Sequence, residues 1–241
     1  MLVLKIDKVI KNFGGLTALK EVSFDVSRGQ IKSVIGPNGA GKTTLFNIIS
    51  GLIRPDAGCI FFLKKNITKN APEENAHIGI ARTFQVTKPF LNMTVLQNVM
   101  IGALKDTSKV GDSRNKAIKI LNFLGMEKIK DMFPGNLTLE ARKRLELARA
   151  LALEPSLLLL DEVMAGLDPS EVEDFKKILA DIRNTGMTIL LIEHVLDAVL
   201  SLSDGVIVLN YGEKIFDGSP KDVVKDQRVI EAYLGKDFLL Q

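Results

Sequence analysis

The chain has 241 residues, 46% of them hydrophobic, and 32 Lys and Arg against 29 Asp and Glu leave a formal net charge of +3. That length buries one substantial core, with room for an inserted subdomain, and so small a charge, spread along the chain, does not point to nucleic acid. A single cysteine, Cys59, and the lack of a ligand-like Cys/His cluster exclude a disulfide framework and a structural zinc site, a usage that fits the cytosol.

The N-terminal MLVLKIDKVIKNF is interrupted by Lys5, Asp7 and Lys8 and makes a poor signal peptide. No uninterrupted apolar run approaches the roughly 18 to 20 residues of a membrane-spanning helix, so work at a membrane would need another anchor. LVLKIDKVI and VSFDV, with Gly14-Gly15 between them, read as short antiparallel strands joined by turns. IKSVI (31–35) reads as a buried strand running into a glycine-rich loop, and from Thr43 onward Leu45, Ile48, Ile49 and Leu52 recur at helical spacing.

Between about 88 and 155 helix signals dominate and strand signals are scarce, which predicts a helical insertion. Within it Phe90, Leu91, Met93 and Val95 fit core and interface equally well. LLLLD (157–161) is a second buried strand, and Ser170 with Glu173 forms a capping box before a helix carrying Val172, Phe175, Ile178, Leu179 and Ile182, which Gly186 ends. MTILLIE (187–193) and GVIVLN (205–210) are further strands. Apolar strands alternating with helices predict a mostly parallel sheet covered on both faces.

GPNGAGKT, Gly36 to Thr43, matches G-x-x-x-x-G-K-[ST] between a strand and a helix, where its mechanism requires it. Backbone N–H groups of such a loop point at phosphate oxygens, and glycines remove the side chains that would block their approach. Lys42 would reach the β- and γ-phosphates, and the Thr43 hydroxyl would ligate Mg²⁺. At the end of LLLLDE, Asp161 would hold Mg²⁺ and Glu162 would orient or deprotonate the attacking water; neighbours on a strand point to opposite sides, so the two carboxylates can take different roles. His194 follows a strand to the same sheet edge, which makes it a functional candidate, whereas His77 reads as an ordinary surface or core residue.

With GPNGAGKTTL, Gln85 in ARTFQ, LTLEARKRLELARAL, LLLLDE, AGLD (165–168) and His194 in LIEHV in this order, the chain resembles the ATP-binding cassette family over nearly its whole length. The resemblance implies an α/β fold: a P-loop NTPase core (1–87 and 156–241) with a mostly parallel sheet and an N-terminal antiparallel β subdomain, and an inserted helical subdomain (88–155). It implies an ATPase with ATP and Mg²⁺ as cofactors, in which Gly36, Pro37, Asn38, Gly39, Ala40, Gly41, Lys42, Thr43 and Thr44 bind the phosphates. Phe13 would stack on adenine, Gln85 would contact Mg²⁺ or the lytic water, Asp168 would link two sites across a dimer, and His194 would sense the γ-phosphate. In that family two cassettes sandwich two ATP molecules, each between one subunit's phosphate loop and the other's signature helix.

The signature departs from the family's Leu-Ser-Gly-Gly-Gln: the aligned residues are Leu137, Thr138, Leu139, Glu140 and Ala141. With Thr138 as N-cap, Glu140 lies in the first turn, where its charge favours the helix dipole, and it reaches Arg144 one turn on. A carboxylate about 5 Å from a phosphate charge would cost about 3 kcal/mol at an effective dielectric of 20. The favoured expectation is that Glu140 turns to Arg144 and leaves Thr138 to the γ-phosphate; the other is a weakened site. Leu145, Ala148 and Leu151 form one apolar stripe along the helix.

ARTFQ, DEVMAGL, IEHVLDAV and VIEAYLGKDF resemble the ATPase subunit of branched-chain amino acid importers, although Val163 stands where most cassettes carry proline. That resemblance implies a peripheral protein on the cytoplasmic face of the membrane. Its expected partners are membrane permease subunits, a second ATPase subunit in a homodimer or heterodimer and, indirectly, an extracytoplasmic solute-binding protein, with no nucleic acid. The alternatives are a soluble cassette acting on nucleic acid or ribosomes, and an ATP-binding regulatory partner with weak hydrolysis.

Overall fold

The computed structural model describes residues 1–84, 88–105 and 109–234. Two twelve-residue strands, β1 (Leu2–Phe13) and β2 (Leu16–Ser27), pair antiparallel across Gly14-Gly15 and run longer than their alternation suggests. The reason is a pair of irregularities: Lys8 and Glu21 take positive φ, the register shifts between Ile6 and Val9, and the buried set changes phase there. After β3 (Ile31–Ile35) and α1 (Lys42–Ile49) come β4 (Ala57–Phe62) and β5 (Lys65–Asn66), which complete a four-stranded sheet in the order β2-β1-β4-β5. Helix α1 stops before the predicted Leu52, which is exposed. Gly51 turns the chain there at φ 84, in a space where a Cβ would come within 2.7 Å of the Asn70 carbonyl oxygen.

Next come α2 (Pro72–Ile78), β6 (Ile80–Arg82), α3 (Val95–Ala103), α4 (Val110–Phe123), α5 (Leu139–Leu151) and β7 (Leu157–Asp161), with no strand between 88 and 155 among the described residues. The chain continues through α6 (Pro169–Asn184), β8 (Thr188–Ile192), α7 (Leu196–Leu202), β9 (Gly205–Asn210), β10 (Glu213–Gly218), α8 (Pro220–Val223) and α9 (Gln227–Leu234). The second sheet has the order β10-β9-β3-β8-β7-β6, parallel throughout except for the β10 edge.

The capping box ahead of α6 is formed by Asp168 and Glu171, two residues earlier than Ser170 and Glu173. Pro169 decides this: its fixed φ and missing N–H suit the first helical position, which makes the preceding residue the cap. Glu173 instead pairs with Lys176 at 2.8 Å. At the far end Thr185 is the C-cap and Gly186 follows at φ 91, as its position suggests.

Strand β7 is buried on both faces, and its side chains divide by period two. Leu157 and Leu159 join the core around α1 and the antiparallel sheet, while Leu158 and Leu160 join the core built by α3, α4, α5 and α6. The phosphate-loop helix is therefore clamped between two sheets, and the helices of 88–155 pack on the opposite face. Leu145 and Ala148 of the predicted α5 stripe are fully buried and Leu151 partly. No described helix is long and apolar enough to cross a membrane.

Candidate nucleotide site

Parallel strands deliver their carboxyl ends to one edge of the second sheet. β3 leads into 36–44, β6 ends at Arg82, β7 at Asp161 and β8 leads to Glu193 and His194. Gln85, expected near this edge, lies outside the described residues.

The three glycines of the loop differ in what surrounds them. A Cβ on Gly36 (φ 149) would sit 2.1 Å from the Leu209 carbonyl oxygen, and one on Gly41 (φ 104) 2.5 Å from that of Ala18, so both permit close backbone packing. Gly39 (φ 79) has open space on its free side, which is room for a phosphate. Gly41 caps α1 without any side-chain hydrogen bond, and no acidic residue occupies the first turn. The first N–H groups of the helix, which have no intrahelical acceptor, are thus left to an anion.

Lys42 is 6% exposed, and its ammonium donates to the carbonyls of Gly36 (2.7 Å) and Pro37 (3.0 Å). Burial lowers its pKa, opposed by the charges of Glu162 and Asp161. Asn38, Ala40, Thr43 and Thr44 line a cleft of about 710 Å³ with Phe13 and Glu162. Phe13 is 46% exposed at the end of β1, with the Lys11 ammonium 5.4 Å from its ring centroid, and lines the cleft. Tyr211, in the turn after β9, lines the same cleft and carries no motif that could have singled it out.

Asp161 is 2% exposed, and its Oδ2 accepts from Arg82 Nη2 at 2.9 Å. Burial raises its pKa, with Arg82 pulling the other way. Its other oxygen, Oδ1, is buried with no hydrogen-bond partner. An orphaned carboxylate oxygen beside the loop expected to bind phosphate suits a hard divalent cation that takes its remaining ligands from phosphate and water. The described residues form no cluster of three or more His, Cys, Asp or Glu that would hold a metal unaided. Arg82 also donates to Asn47 Oδ1 (2.6 Å) and Ser50 Oγ (3.2 Å) on α1. The ion pair spans 79 residues of chain, and ARTFQ alone does not announce it.

Glu162 has φ 51, a backbone conformation that costs a non-glycine residue about 1–3 kcal/mol and persists only where surroundings enforce it. Its N–H donates to the Ile192 carbonyl at 2.9 Å, and its Oε1 lies 2.6 Å from His194 Nε2. The structure thus joins the two residues that the sheet-edge argument selected separately. His77, by contrast, is exposed in the last turn of α2.

Thr138 caps α5, its hydroxyl oxygen accepting from the Ala141 N–H at 3.2 Å, and Glu140 forms an ion pair with Arg144. Arg144 is anchored in turn on the Leu124 carbonyl (3.1 Å). Leu139 packs against Gly166, its Cδ2 3.3 Å from where a Cβ would be. Asp168 accepts from the N–H groups of Glu171 (2.9 Å) and Ser170 (2.8 Å) and from the Ser170 hydroxyl (2.7 Å), which lowers its pKa. Thr138 and Asp168 are both exposed and lie outside the lining of the cleft formed by their own chain. Because Glu140 is already drawn to Arg144 in a half-buried pair, Glu140→Gly is expected to change steady-state ATP turnover by less than about threefold, an i,i+4 helix pair being worth only a few tenths of a kcal/mol. A tenfold gain would show instead that the carboxylate impedes the site.

Residues 19–165 match the family profile described as ABC transporter, over more than half of the chain. The chain belongs to the ABC transporter family. Residues 213–238 of this cassette match a second profile, described as branched-chain amino acid ATP-binding cassette transporter. A "probable branched-chain amino acid transport ATP-binding protein LivG" of Methanocaldococcus jannaschii is 36% identical, with 98% of each chain covered. The "high-affinity branched-chain amino acid transport ATP-binding protein LivG" of Salmonella typhimurium is 34% identical over 97% of this chain and 98% of its own. Among solved structures, a nucleotide-free ATP-binding cassette from an ABC transporter superposes with TM-score 0.89 at 36% identity, covering 98% of this cassette and 100% of that chain. The ADP conformation of such a cassette superposes equally well, with the same identity and coverage. As a member of this family the cassette is an ATPase coupled to transport.

Proposed function

We propose that this chain is the ATP-hydrolysing subunit of an importer for branched-chain amino acids, peripheral on the cytoplasmic face of the membrane. The observation that carries the solute class is the match of the C-terminal stretch 213–238 to the branched-chain amino acid profile, supported by full-length relatives of that description.

In this reading the N–H groups of Gly36–Thr44 and Lys42 hold the phosphates, and Phe13 stacks on the base, which needs contact area but no hydrogen-bond geometry. Thr43 and Asp161, through its unpartnered Oδ1, would hold Mg²⁺, with Gln85 contacting the ion or the lytic water, and the bound ion would supply positive charge beside the phosphates. Glu162 takes the proton of the attacking water. His194, in contact with Glu162, reports and stabilises the γ-phosphate end. Thr138 and Asp168, exposed on their own chain, serve the partner's nucleotide in a two-cassette sandwich. A 25% identical cassette described as a dimer bound to ADP and Pi supports that assembly. The helical subdomain 88–155 meets the permeases: Phe90, Leu91 and Met93 are exposed there while Val95 is fully buried, which divides that apolar group between surface and core.

The test is ATP-driven uptake by proteoliposomes holding this subunit with its permeases and loaded solute-binding protein. Labelled leucine, isoleucine and valine are expected to accumulate only with ATP. Accumulation of urea or another small amide in their place would overturn the solute class, and turnover stimulated by ribosomes or nucleic acid would overturn transport itself.

A further inference from the structure

Glu193 is 2% exposed, and none of the phosphate chemistry above uses it. Burying a carboxylate is unfavourable unless fixed donors meet it. Here two donors come from different loops: Oε1 accepts from the Met164 N–H (2.8 Å), in the turn after Glu162, and Oε2 from the His194 N–H (3.3 Å). From a third direction Lys143, 6% exposed on α5, donates its ammonium to the Glu162 carbonyl at 3.0 Å. The strained Glu162 backbone is therefore held through its own N–H by β8, through its carbonyl by α5, and two residues on by Glu193.

We propose that Glu193 is a positioning residue that ties the turn carrying Glu162 to the backbone of His194 and so sets the contact between Glu162 and His194, with Lys143 completing the clamp from the helix that follows Thr138. The side chain suits this task because a carboxylate offers two acceptors on one rigid plane, one for each loop. A glutamine keeps one acceptor and turns the other position into a donor facing an N–H, and alanine removes both. The inference rests on the reading of Glu162 and His194 as the pair that acts on the attacking water.

The charged and titratable groups facing Glu193 are Lys143 from α5, Glu162 from the end of β7, and His194 and Tyr233 around the cavity beside it. Burial pushes the Glu193 carboxyl from 4.5 up to about 7, against the pull of the two N–H groups and Lys143. A folded value above the unfolded one means that the native state holds an extra proton between those limits. Wild-type stability then falls as pH rises from about 4.5 to about 7. Glutamine does not titrate and lacks that loss.

The experiment uses the purified full-length chain with E193Q, E193A and, as reference, E162Q. Expected are a kcat lowered roughly tenfold in E193Q and roughly a hundredfold in E193A, the scale of a misplaced catalytic group, with the Kd for a fluorescent ATP analogue within about twofold of wild type. The chain has two histidines, so nitrogen NMR of the rings reads His194 directly with His77 as internal control. The His194 Nε2 resonance should move in E193A and E162Q while that of His77 stays. The melting temperature of E193Q should gain on wild type between pH 5 and pH 8, which separates lost positioning from lost folding. An unchanged kcat and His194 resonance in E193A would overturn the inference, as would a joint fall in kcat, ATP affinity and melting temperature in both Glu193 variants. Full turnover in E162Q would defeat the underlying reading of Glu162, and this inference with it.

Discussion

Glu162→Gln is expected to lower ATP turnover by roughly 10²–10⁴-fold, the usual contribution of a positioned general base, while leaving ATP binding within about twofold of wild type. The substitution preserves volume and keeps an oxygen near His194 Nε2, 2.6 Å away in the wild type. It leaves the loop glycines in place and removes one negative charge that raises the pKa values of Lys42 and Asp161. The strained backbone at φ 51 is fixed by main-chain contacts with Ile192 and Lys143 that an amide side chain leaves alone. Light scattering with and without ATP completes the test. A variant that binds and cannot hydrolyse should accumulate as a dimer if LTLEA is a working signature despite Glu140. If it binds ATP and stays monomeric, the sandwich needs a different ATPase subunit. Turnover above a tenth of wild type would remove Glu162 from the role of base.

Gly36→Ala should be the most damaging single methyl in the molecule. The added Cβ would lie 2.1 Å from the Leu209 carbonyl oxygen and 3.2 Å from the Ala40 Cβ, and neither can swing away as a side-chain tip could. Leu209 belongs to β9, which pairs directly with β3, so relief requires moving the loop or parting two central strands. A cost of about 3–5 kcal/mol is the order for such overpacking joined to a left-handed backbone. For a domain of this size that lowers Tm by roughly 6–20 °C, at roughly 2–4 °C per kcal/mol. Gly39→Ala is the control, since its free side is open and only its φ of 79 opposes a side chain. It should cost about 1 kcal/mol of stability and act mainly on ATP affinity, because the methyl occupies phosphate space. Scanning calorimetry with nucleotide titration separates the two, and a Gly36→Ala protein melting within about 2 °C of wild type would refute the steric argument.

What could be read from the chain beforehand was local. The phosphate loop is contiguous, so motif and conformation coincide, and the buried strands IKSVI, LLLLD and GVIVLN have the predicted bounds because uniform burial leaves no phase to misread. The ion pair of Glu140 with Arg144 followed from helix geometry alone, one turn apart. Two kinds of feature escaped. The first is ambiguity between overlapping local patterns: DPSEVE holds two capping boxes, and the proline selects between them. The second is anything made by distant segments. Arg82 on Asp161, Lys143 on the Glu162 carbonyl and Glu193 on the Met164 N–H join positions between 19 and 79 residues apart. Each is an ordinary charged residue in the linear text, and only the converging strand ends reveal it.

The pairing of Arg82 with Asp161 bears on how inactive alleles of this gene should be interpreted. Arg82 is largely enclosed, its side chain 8% exposed and within 5.9 Å of the Phe46 ring and 5.1 Å of the Phe84 ring, so it stays mostly desolvated if its carboxylate is taken away. Neutralising Asp161 would strand a cation in the interior, a change that in buried pairs destabilises by about 3–5 kcal/mol. A phenotype from that position therefore mixes poor folding with lost chemistry, and low abundance in the cell could pass for a dead enzyme. Glu162, one residue further on, meets His194 at the sheet edge, and genetic experiments that need an intact but idle motor belong there.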